Sequence, residues 1–581
     1  MTDLKTLGKY YLLSSLRILS NLSSADKSYI AERASLRELK RHENLYLQGE
    51  PGQFFYIIVN GSVELYKTEK NDSQTEERSV GILRKGDFLG IISTFTDKPH
   101  IYSARGMGDV KILQIPKSDF LEMIERVPTL SQALNKVLTR RLNATPADSN
   151  YKIVETNVIS VFSEENESLA SQYAIELSDQ IVQLTGKKAI VLRFNKRNRE
   201  FSPNIAKIKS YHSENTSETI EIFSKYQNSY HYIILDIQED DYDQTRTLLN
   251  KSDFCHVLTN PANFSQKDFL LKYDLEKELN SDYLKVFNLL NFIEKKSFQK
   301  NVTKISRDVT GMRIGLALGG GAAFGLAQIG VLKVLEKENI PIDIISGTSI
   351  GSLVGALWAS GIPALEIEEA TESFHSLFDI LKLVDLSLIP RKGLISGNNI
   401  RKFLEGYIGN KSFEEMEREL RIITCDINRR EEVILKEGSV VNAIMASTAI
   451  PGLFNPFITE NGTVYVDGGV VNPLPVSSLT IEGVQRIISV NAMPSPEDSV
   501  RSNKINQSIM DIFINSFYSL QYRLCKYSFQ SSDVFMSPIL PNSSWYEFHR
   551  AKDFIQLGER VCEENISAIK ELAYKEEIFK V

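Results

Sequence analysis

The sequence predicts a multidomain protein of the α+β and α/β classes, with an N-terminal β jelly roll, a middle α/β connector domain and a C-terminal α/β domain. Three observations support this prediction. A chain of 581 residues exceeds the size at which one hydrophobic core stops growing. Short β-branched and aromatic strands with glycine turns fill the first region, whereas strands and helices alternate in the rest. Apolar residues at 42% and charged residues at 24% are typical of packed, folded domains.

Charge and cysteine content exclude several classes of function. The chain has 74 acidic and 67 basic residues, and its net charge of -7 has the wrong sign for a nucleic-acid-binding protein. The four cysteines lie far apart, at Cys255, Cys425, Cys525 and Cys562. This spacing favours neither a disulfide framework nor a zinc site, so no metal and no cofactor is expected. Because we find no signal-peptide pattern and no apolar run long enough to span a bilayer, we expect a cytoplasmic protein.

The first region, residues 10–143, resembles a known ligand-binding family. Its clearest strands read FFYIIVNGSVELY, and glycines punctuate the region at Gly49, Gly52, Gly61, Gly86 and Gly90. The segment GEPGQFFYIIVNGSVELY, followed by LRKGDFLG, resembles cyclic-nucleotide-binding domains. The resemblance implies a β jelly roll flanked by helices.

The same region departs from that family where the ligand would bind. The glutamate that would hold the ribose is Ile91, and the arginine that would pair with the cyclic phosphate falls on His100 or Tyr102. Arg105 is the nearest cation and is out of register. A buried phosphate without a cation is very costly. We therefore do not expect a cyclic nucleotide as ligand, and a docking or autoregulatory domain is the alternative.

The middle region, residues 151–300, follows a polar linker at 141–151. Its order of strand, helix and strand in IVETNVISVF, SLASQYAIELSDQIVQLTG and KAIVLRF predicts a parallel α/β layer. The loop SEENES lacks the Gly-Lys-Ser/Thr pattern of a P-loop, so we assign this region no chemistry. Near its end lie Lys295, Lys296, Lys300 and Lys304. These lysines form either a solvated face or a peripheral contact with anionic lipid.

The last region, residues 312–581, carries the chemistry. The strand MRIGLAL runs into the loop GGGAAFG and an amphipathic helix, and the strand IDIIS then turns through GTSIG into a second helix. In a right-handed βαβ unit both loops leave the same sheet edge. GTSIG fits a nucleophile elbow around Ser349, and the amides of Gly319, Gly320 and Gly321 can hold an oxyanion. A dinucleotide-binding loop is the alternative, but GGGAAFG does not have the GxGxxG spacing.

A nucleophilic serine also needs a base. Asp467 follows an apolar strand in TVYVDGGVVNPLPV, and a carboxylate at a strand end can act as the general base without imidazole. An aspartate that caps a turn is the alternative interpretation. Only two histidines, His375 and His549, follow Ser349, and neither lies in a recognisable motif. A conventional Ser-His-Asp hydrolase that uses His549 is the rival hypothesis.

Four motifs in order bring a family into view. GGGAAFG, GTSIG, ASTAIPGLFNPF and DGGVVNPLP resemble the patatin-like phospholipases, and together with the first region the chain resembles bacterial relatives of neuropathy target esterase. The resemblance implies a patatin-type α/β hydrolase domain in which Ser349 attacks an acyl carbonyl and Asp467 takes its proton. It also implies that Gly319, Gly320 and Gly321 donate to the oxyanion. The chain differs at Ala322, where relatives often carry glycine, and at Phe324, where many carry a cation.

The expected function is therefore that of a lipid ester hydrolase. Its substrate would be a phospholipid or lysophospholipid, cleaved through a covalent acyl-enzyme on Ser349, with the N-terminal domain serving regulation or docking. The chain could also contact the inner face of a membrane peripherally. An alternative is a ligand-sensing or scaffold protein with a vestigial hydrolase domain.

Overall fold

A computed structural model describes most of the chain between residues 24 and 574, together with residues 9 and 13. The gaps in this description are 41, 61, 72–73, 85–86, 97, 107–109, 128–155, 164, 196–207, 213–215, 228, 239–240, 276–283, 373–394, 396, 496–508, 530–531 and 542. The predicted linker at 141–151 and His375 lie outside the described residues.

The N-terminal region is an antiparallel β jelly roll, as predicted. Its strands are β1 (Ser35–Leu39), β2 (Asn44–Tyr46), β3 (Phe54–Asn60), β4 (Ser62–Asn71), β5 (Gln74–Arg84), β6 (Phe88–Leu89), β7 (Ser103–Gly106) and β8 (Val110–Pro116). Its helices are α1 (Ser24–Arg33), α2 (Ile91–Thr96) and α3 (Lys117–Arg126). One sheet has the order β1-β8-β3-β6; in addition, β2 pairs with β7 and β4 with β5. Apolar side chains of β3 and β8 are buried, which places the core between the strands.

Two positions where the sequence departs from the cyclic-nucleotide pattern are buried in this region. Ile91 begins α2 and is 1% exposed. The His100 ring stacks on Tyr46 with ring centroids 3.7 Å apart, and its Nδ1 lies 3.0 Å from the hydroxyl of Ser93. Burial lowers the pKa of His100, although Glu50 opposes this shift. His100 is therefore a neutral core residue at pH 7 rather than a cation for a phosphate.

The middle region is a six-stranded sheet in which every pair of neighbouring strands is parallel, in the order β11-β10-β12-β9-β13-β14. The strands are β9 (Asn157–Phe162), β10 (Ala189–Asn195), β11 (Ile208–His212), β12 (Tyr232–Ile237), β13 (Phe254–Thr259) and β14 (Leu284–Asn288). The helices are α4 (Glu167–Thr185), α5 (Thr216–Gln227), α6 (Tyr242–Asn250), α7 (Gln266–Lys272) and α8 (Lys295–Val309). Every residue of β12 is buried, as expected for a strand covered on both faces.

The C-terminal region is an eight-stranded mixed sheet in the order β19-β20-β17-β16-β15-β21-β22, with β18 also paired to β17. The strands are β15 (Ile314–Leu318), β16 (Ile344–Thr348), β17 (Glu419–Asp426), β18 (Glu431–Leu435), β19 (Phe457–Ile458), β20 (Val464–Asp467), β21 (Arg486–Val490) and β22 (Val534–Met536). The helices are α9 (Ala327–Lys337), α10 (Ile350–Ala359), α11 (Ala364–Glu372), α12 (Asn398–Ile408), α13 (Val440–Ser447), α14 (Val476–Ile481), α15 (Ile509–Ser528) and α16 (Ala551–Tyr574).

The order of these strands brings the glycine loop and the serine turn to one edge of the sheet. β15 and β16 are adjacent and parallel, so the glycine loop after β15 and the serine turn after β16 leave the sheet side by side. β17 lies on the other side of β16 and runs parallel to it, and β20 pairs antiparallel with β17. The register pairs Asp467, at the carboxyl end of β20, with Thr424, the residue after the Ile423 that pairs with Thr348, so this end of β20 lies near the serine turn. Within the described part of the chain, we find no helix with the length and apolarity needed to cross a bilayer.

Candidate active site

Ser349 occupies a sharp turn between β16 and α10. Its φ of 53° and ψ of -123° lie in a region that residues other than glycine rarely adopt. The flanking glycines permit the turn, because a Cβ on Gly347 would lie 2.4 Å from the carbonyl oxygen of Gly351. A Cβ on Gly351 would lie 2.2 Å from the carbonyl oxygen of Leu318. The sequence GTSIG thus forms a strained strand-to-helix elbow with the serine at its apex.

Asp467, the last residue of β20, reaches the Ser349 hydroxyl directly. The Oγ of Ser349 donates a hydrogen bond to Oδ2 of Asp467 at 2.6 Å, although 118 residues separate the two in sequence. The other carboxylate oxygen accepts the N–H of Gly469 at 2.7 Å. Ser349 is 8% and Asp467 2% exposed, so the pair is largely shielded from water. One oxygen of the carboxylate caps the following turn, and the other contacts the Ser349 hydroxyl. The turn cap and the serine partner, which the sequence offered as alternatives, are thus both observed as contacts.

Burial changes the acidity of this carboxyl group. Removal from water raises the pKa of Asp467 from 3.8 to about 6, and the hydrogen bonds from Ser349 and Gly469 oppose the rise. A carboxylate with this pKa is a stronger base than an ordinary aspartate and is still mostly ionised at pH 7. The site therefore places the Ser349 hydroxyl next to a carboxylate whose pKa lies close to neutral pH.

The glycine loop lies beside the elbow, but its amides differ in availability. A Cβ on Gly320 would lie 3.3 Å from Cβ of Ser349. The N–H of Gly319 donates to the carbonyl of Val490 at 3.0 Å, and the N–H of Gly320 donates to the carbonyl of Pro473 at 2.8 Å. In this conformation those two amides hold the loop against the sheet and are not free to bind an oxyanion.

The next amides in the loop have N–H groups that are not used in hydrogen bonds to the sheet. Among the described residues, the N–H groups of Gly321 and Ala322 have no acceptor, whereas that of Ala323 donates to the carbonyl of Trp545. Ile350 is the first residue of α10, where an N–H has no intrahelical partner. Phe324, which stands where many relatives have a cation, is buried and packs edge-on against Phe554.

The histidine of the rival triad is in a different environment. His549 lies in a short 3-10 turn, Phe548–Arg550, and its side chain is exposed, whereas the Ser349 hydroxyl is buried against a carboxylate. The observed hydrogen-bond partner of the Ser349 hydroxyl is thus an aspartate rather than an imidazole.

Two groups of residues around the pair were not predicted from the sequence. Ser447 and Ala449, in the ASTAIP segment, accept the backbone N–H groups of Ser349 and Asp467, both at 2.9 Å. The side chain of Gln521 on α15 packs against the turn after Asp467, since a Cβ on Gly469 would lie 2.3 Å from its Nε2. The ASTAIP motif was visible in the sequence, but nothing local revealed its contacts, and α15 gave no signal.

The described residues include no group of three or more histidine, cysteine, aspartate or glutamate side chains placed to bind a metal ion.

Comparison with known proteins identifies two domains. The model of the patatin-like phospholipase family matches residues 316–480, and that of the cyclic nucleotide-binding domain matches residues 36–127.

Three relatives illustrate the extent of the similarity. Lysophospholipase NTE1 of Phaeosphaeria nodorum is 30% identical over 203 residues, which cover 35% of this chain and 13% of the relative. Patatin-like phospholipase domain-containing protein 6 of Homo sapiens is 30% identical over 216 residues, which cover 37% of this chain and 15% of the relative. An uncharacterized NTE family protein of Mycobacterium tuberculosis is 23% identical over 494 residues, covering 82% of this chain and 79% of the relative. The chain thus spans less than a fifth of the fungal and human relatives and about four-fifths of the mycobacterial one.

Proposed function

We propose, from the patatin-like phospholipase domain that this chain carries, that it hydrolyses an ester bond of a phospholipid or lysophospholipid. The observation that carries the proposal is the 2.6 Å hydrogen bond from Ser349 to Asp467 in a buried site. The test is fatty-acid release from a panel of phospholipids, lysophospholipids and neutral lipids. Release from at least one of the phosphate-bearing lipids is the expected result, and no release from any lipid would contradict the proposal.

The reaction proceeds in two halves through an acyl-enzyme. Oγ of Ser349 attacks the acyl carbonyl carbon while Asp467 takes the hydroxyl proton, and the glycerol oxygen leaves with that proton when the tetrahedral intermediate collapses. In the second half, water attacks the acyl carbonyl as Asp467 accepts one of its protons. The second intermediate releases the fatty acid, and the proton returns to Ser349.

The negative oxygen of each tetrahedral intermediate needs hydrogen-bond donors that have no other acceptor before the reaction. The loop amides of Gly321 and Ala322, together with the N–H of Ile350 at the start of α10, are the donors we propose. Gly319 and Gly320, which the sequence suggested with Gly321, would act by fixing the loop through Val490 and Pro473. Donors fixed in advance stabilise the developing charge without reorganising, which is usually the largest part of such catalysis.

The raised pKa of Asp467 predicts the pH dependence of turnover. Asp467 must be ionised to accept the serine proton, so kcat/KM, which reports the ionisation of the free enzyme, is expected to fall about tenfold per pH unit below an apparent pKa of about 6 and to be level above it. Histidine also titrates near this pH, so the limb is measured in wild type and in His549→Ala. The dyad predicts the same limb and nearly unchanged kcat in His549→Ala; an inactive His549→Ala would favour the histidine rival.

We also propose a peripheral contact with anionic lipid through the amphipathic helix α8. Its lysines Lys295, Lys300 and Lys304 are exposed, while its apolar face lies in the core of the middle region. Immediately before it, Leu290 and Ile293 are 64% and 63% exposed. Apolar side chains beside lysines are a surface that suits the headgroup layer of an acidic membrane.

The double variant Lys295→Gln/Lys300→Gln tests this surface. Each lysine near an anionic surface contributes about 1 kcal/mol, so binding to phosphatidylglycerol vesicles should weaken roughly 30-fold. Cosedimentation measures binding, and hydrolysis of a dispersed monomeric substrate serves as the control that should not change. Equal binding of wild type and variant would contradict the proposal.

A cytoplasmic location at the inner face of the membrane is part of the same proposal, and the free, buried cysteines among the described residues are consistent with it.

For the N-terminal domain we propose docking or regulation without a cyclic nucleotide. The support is the buried Ile91, at the position where the family holds the ribose, and the neutral, buried His100, which with Tyr102 is one of the two candidate positions for the phosphate-binding arginine. Cyclic nucleotides added to the lipid assay should therefore leave the rate of fatty-acid release unchanged.

The domain boundaries 10–143, 151–300 and 312–581 stay a prediction.

A further inference from the structure

The motif ASTAIPGLFNPF has no role in the proposed chemistry, yet its first residues contact both halves of the dyad. Ser447 is the last residue of α13 and is fully buried. Its hydroxyl oxygen accepts the N–H of Ser349 at 2.9 Å, and its proton is donated to the carbonyl of Ile423 at 2.6 Å. Because that proton is donated to a backbone carbonyl, which cannot act as a general base, Ser447 itself is not activated as a nucleophile.

The same segment also holds the strand that carries the base. The carbonyl of Ala449 accepts the N–H of Asp467 at 2.9 Å. Thr424, which lies opposite Asp467 in the β17–β20 pair, donates to the carbonyl of Ala446 at 3.3 Å and to that of Val466 at 2.8 Å. Residues 446–449 therefore connect the backbone of the nucleophile to the backbone of the base.

We propose that Ser447 is a positioning residue that fixes the separation between the Ser349 hydroxyl and the Asp467 carboxylate. This inference rests on the proposed function. The elbow backbone of Ser349 is strained, and its N–H points to no described acceptor other than the Ser447 hydroxyl. The bond to Ile423, the residue paired with Thr348 in the sheet, prevents that hydroxyl from following the elbow if it relaxes. Without Ser447 the turn can relax and move Oγ away from Asp467.

The variant Ser447→Ala tests the proposal. It leaves the Ser349 N–H buried without a partner, so kcat should fall about 10- to 100-fold while KM stays within about twofold, because the substrate does not contact Ser447. The rate at which a fluorophosphonate labels Ser349 should fall in parallel. Ser447→Thr, which retains the hydroxyl, should recover part of kcat. If Ser447→Ala does not fold, Ser447→Cys keeps the volume with a weaker acceptor and is judged by the same measurements.

Ser360→Ala is the matched control. Ser360 is also buried, and its hydroxyl donates to a backbone carbonyl, that of Leu357, at the far end of α10. This variant also removes a buried hydroxyl that donates to a carbonyl, but it should keep wild-type kcat. The inference is overturned if folded Ser447→Ala keeps kcat within twofold of wild type or loses no more than Ser360→Ala. If the wild-type protein hydrolyses no lipid, the proposed function fails, and the labelling rates still decide the role of Ser447.

Discussion

Ser349→Ala is expected to lower kcat for fatty-acid release by on the order of 10⁴-fold or more, because it removes the atom that forms the acyl-enzyme. The loop amides remain, so a small residual rate above that of water is expected. The fold should survive, since the variant loses one hydroxyl and keeps the flanking glycines that permit the turn. Turnover under saturating lipid, with circular dichroism to verify folding, measures the effect.

A fluorophosphonate probe distinguishes this result from the rival of a vestigial hydrolase domain. The wild-type protein should be labelled rapidly, because Asp467 activates the Ser349 hydroxyl, which attacks the phosphorus of the probe and displaces fluoride, and Ser349→Ala should not be labelled. A vestigial site predicts slow labelling of both proteins. Undiminished fatty-acid release by folded Ser349→Ala would show that another residue is the nucleophile.

Asp467→Asn is expected to reduce kcat about 10²- to 10⁴-fold, the range that a positioned general base contributes. The amide can still accept the N–H of Gly469, but it cannot take the proton of Ser349. Labelling by the fluorophosphonate should slow for the same reason, and the limb of the pH profile near 6 should disappear. Activity close to that of wild type in this variant would exclude the carboxylate as the base.

The same substitution should stabilise the fold at alkaline pH. The pKa of Asp467 is raised from 3.8 to about 6, so between these values the folded state binds more protons than the unfolded state. Stability is therefore lost as pH rises through this window, by up to about 3 kcal/mol above pH 6. Asparagine does not titrate, so thermal unfolding of Asp467→Asn should occur at a higher temperature than wild type at pH 8. The advantage should vanish near pH 4, and a less stable variant at pH 8 would contradict this.

The predicted nucleophile and its carboxylate partner could be proposed from the sequence because each lies in a local pattern. The turn GTSIG needs its glycines for steric reasons, and Asp467 follows an apolar strand with two glycines behind it. Their meeting depends on strand order, which the βαβ rule gave for β15 and β16 but not for β20. The jelly roll and the parallel middle sheet were likewise predicted from the spacing of strands and turns.

What the sequence did not reveal depends on distant partners. Three adjacent glycines looked equivalent as donors, yet the amides of Gly319 and Gly320 are taken by carbonyls more than 150 residues away, at Pro473 and Val490. Ser447 closes a short helix and has no local feature that marks its bond to Ser349. His100, like Tyr102, was a candidate for the position of the phosphate cation, and its burial, its stacking on Tyr46 and its contact with Ser93 show that it belongs to the core.

Ser349 and Asp467 are 118 positions apart in the sequence, and this separation determines when their side chains can first meet. During synthesis at about 5–20 residues per second, the base leaves the ribosome roughly 6–24 seconds after the nucleophile. Until β20 has paired with β17, the emerging polypeptide holds an ordinary, unactivated alcohol. A polypeptide that ends before β20 therefore lacks the carboxylate that accepts the hydrogen bond from Ser349.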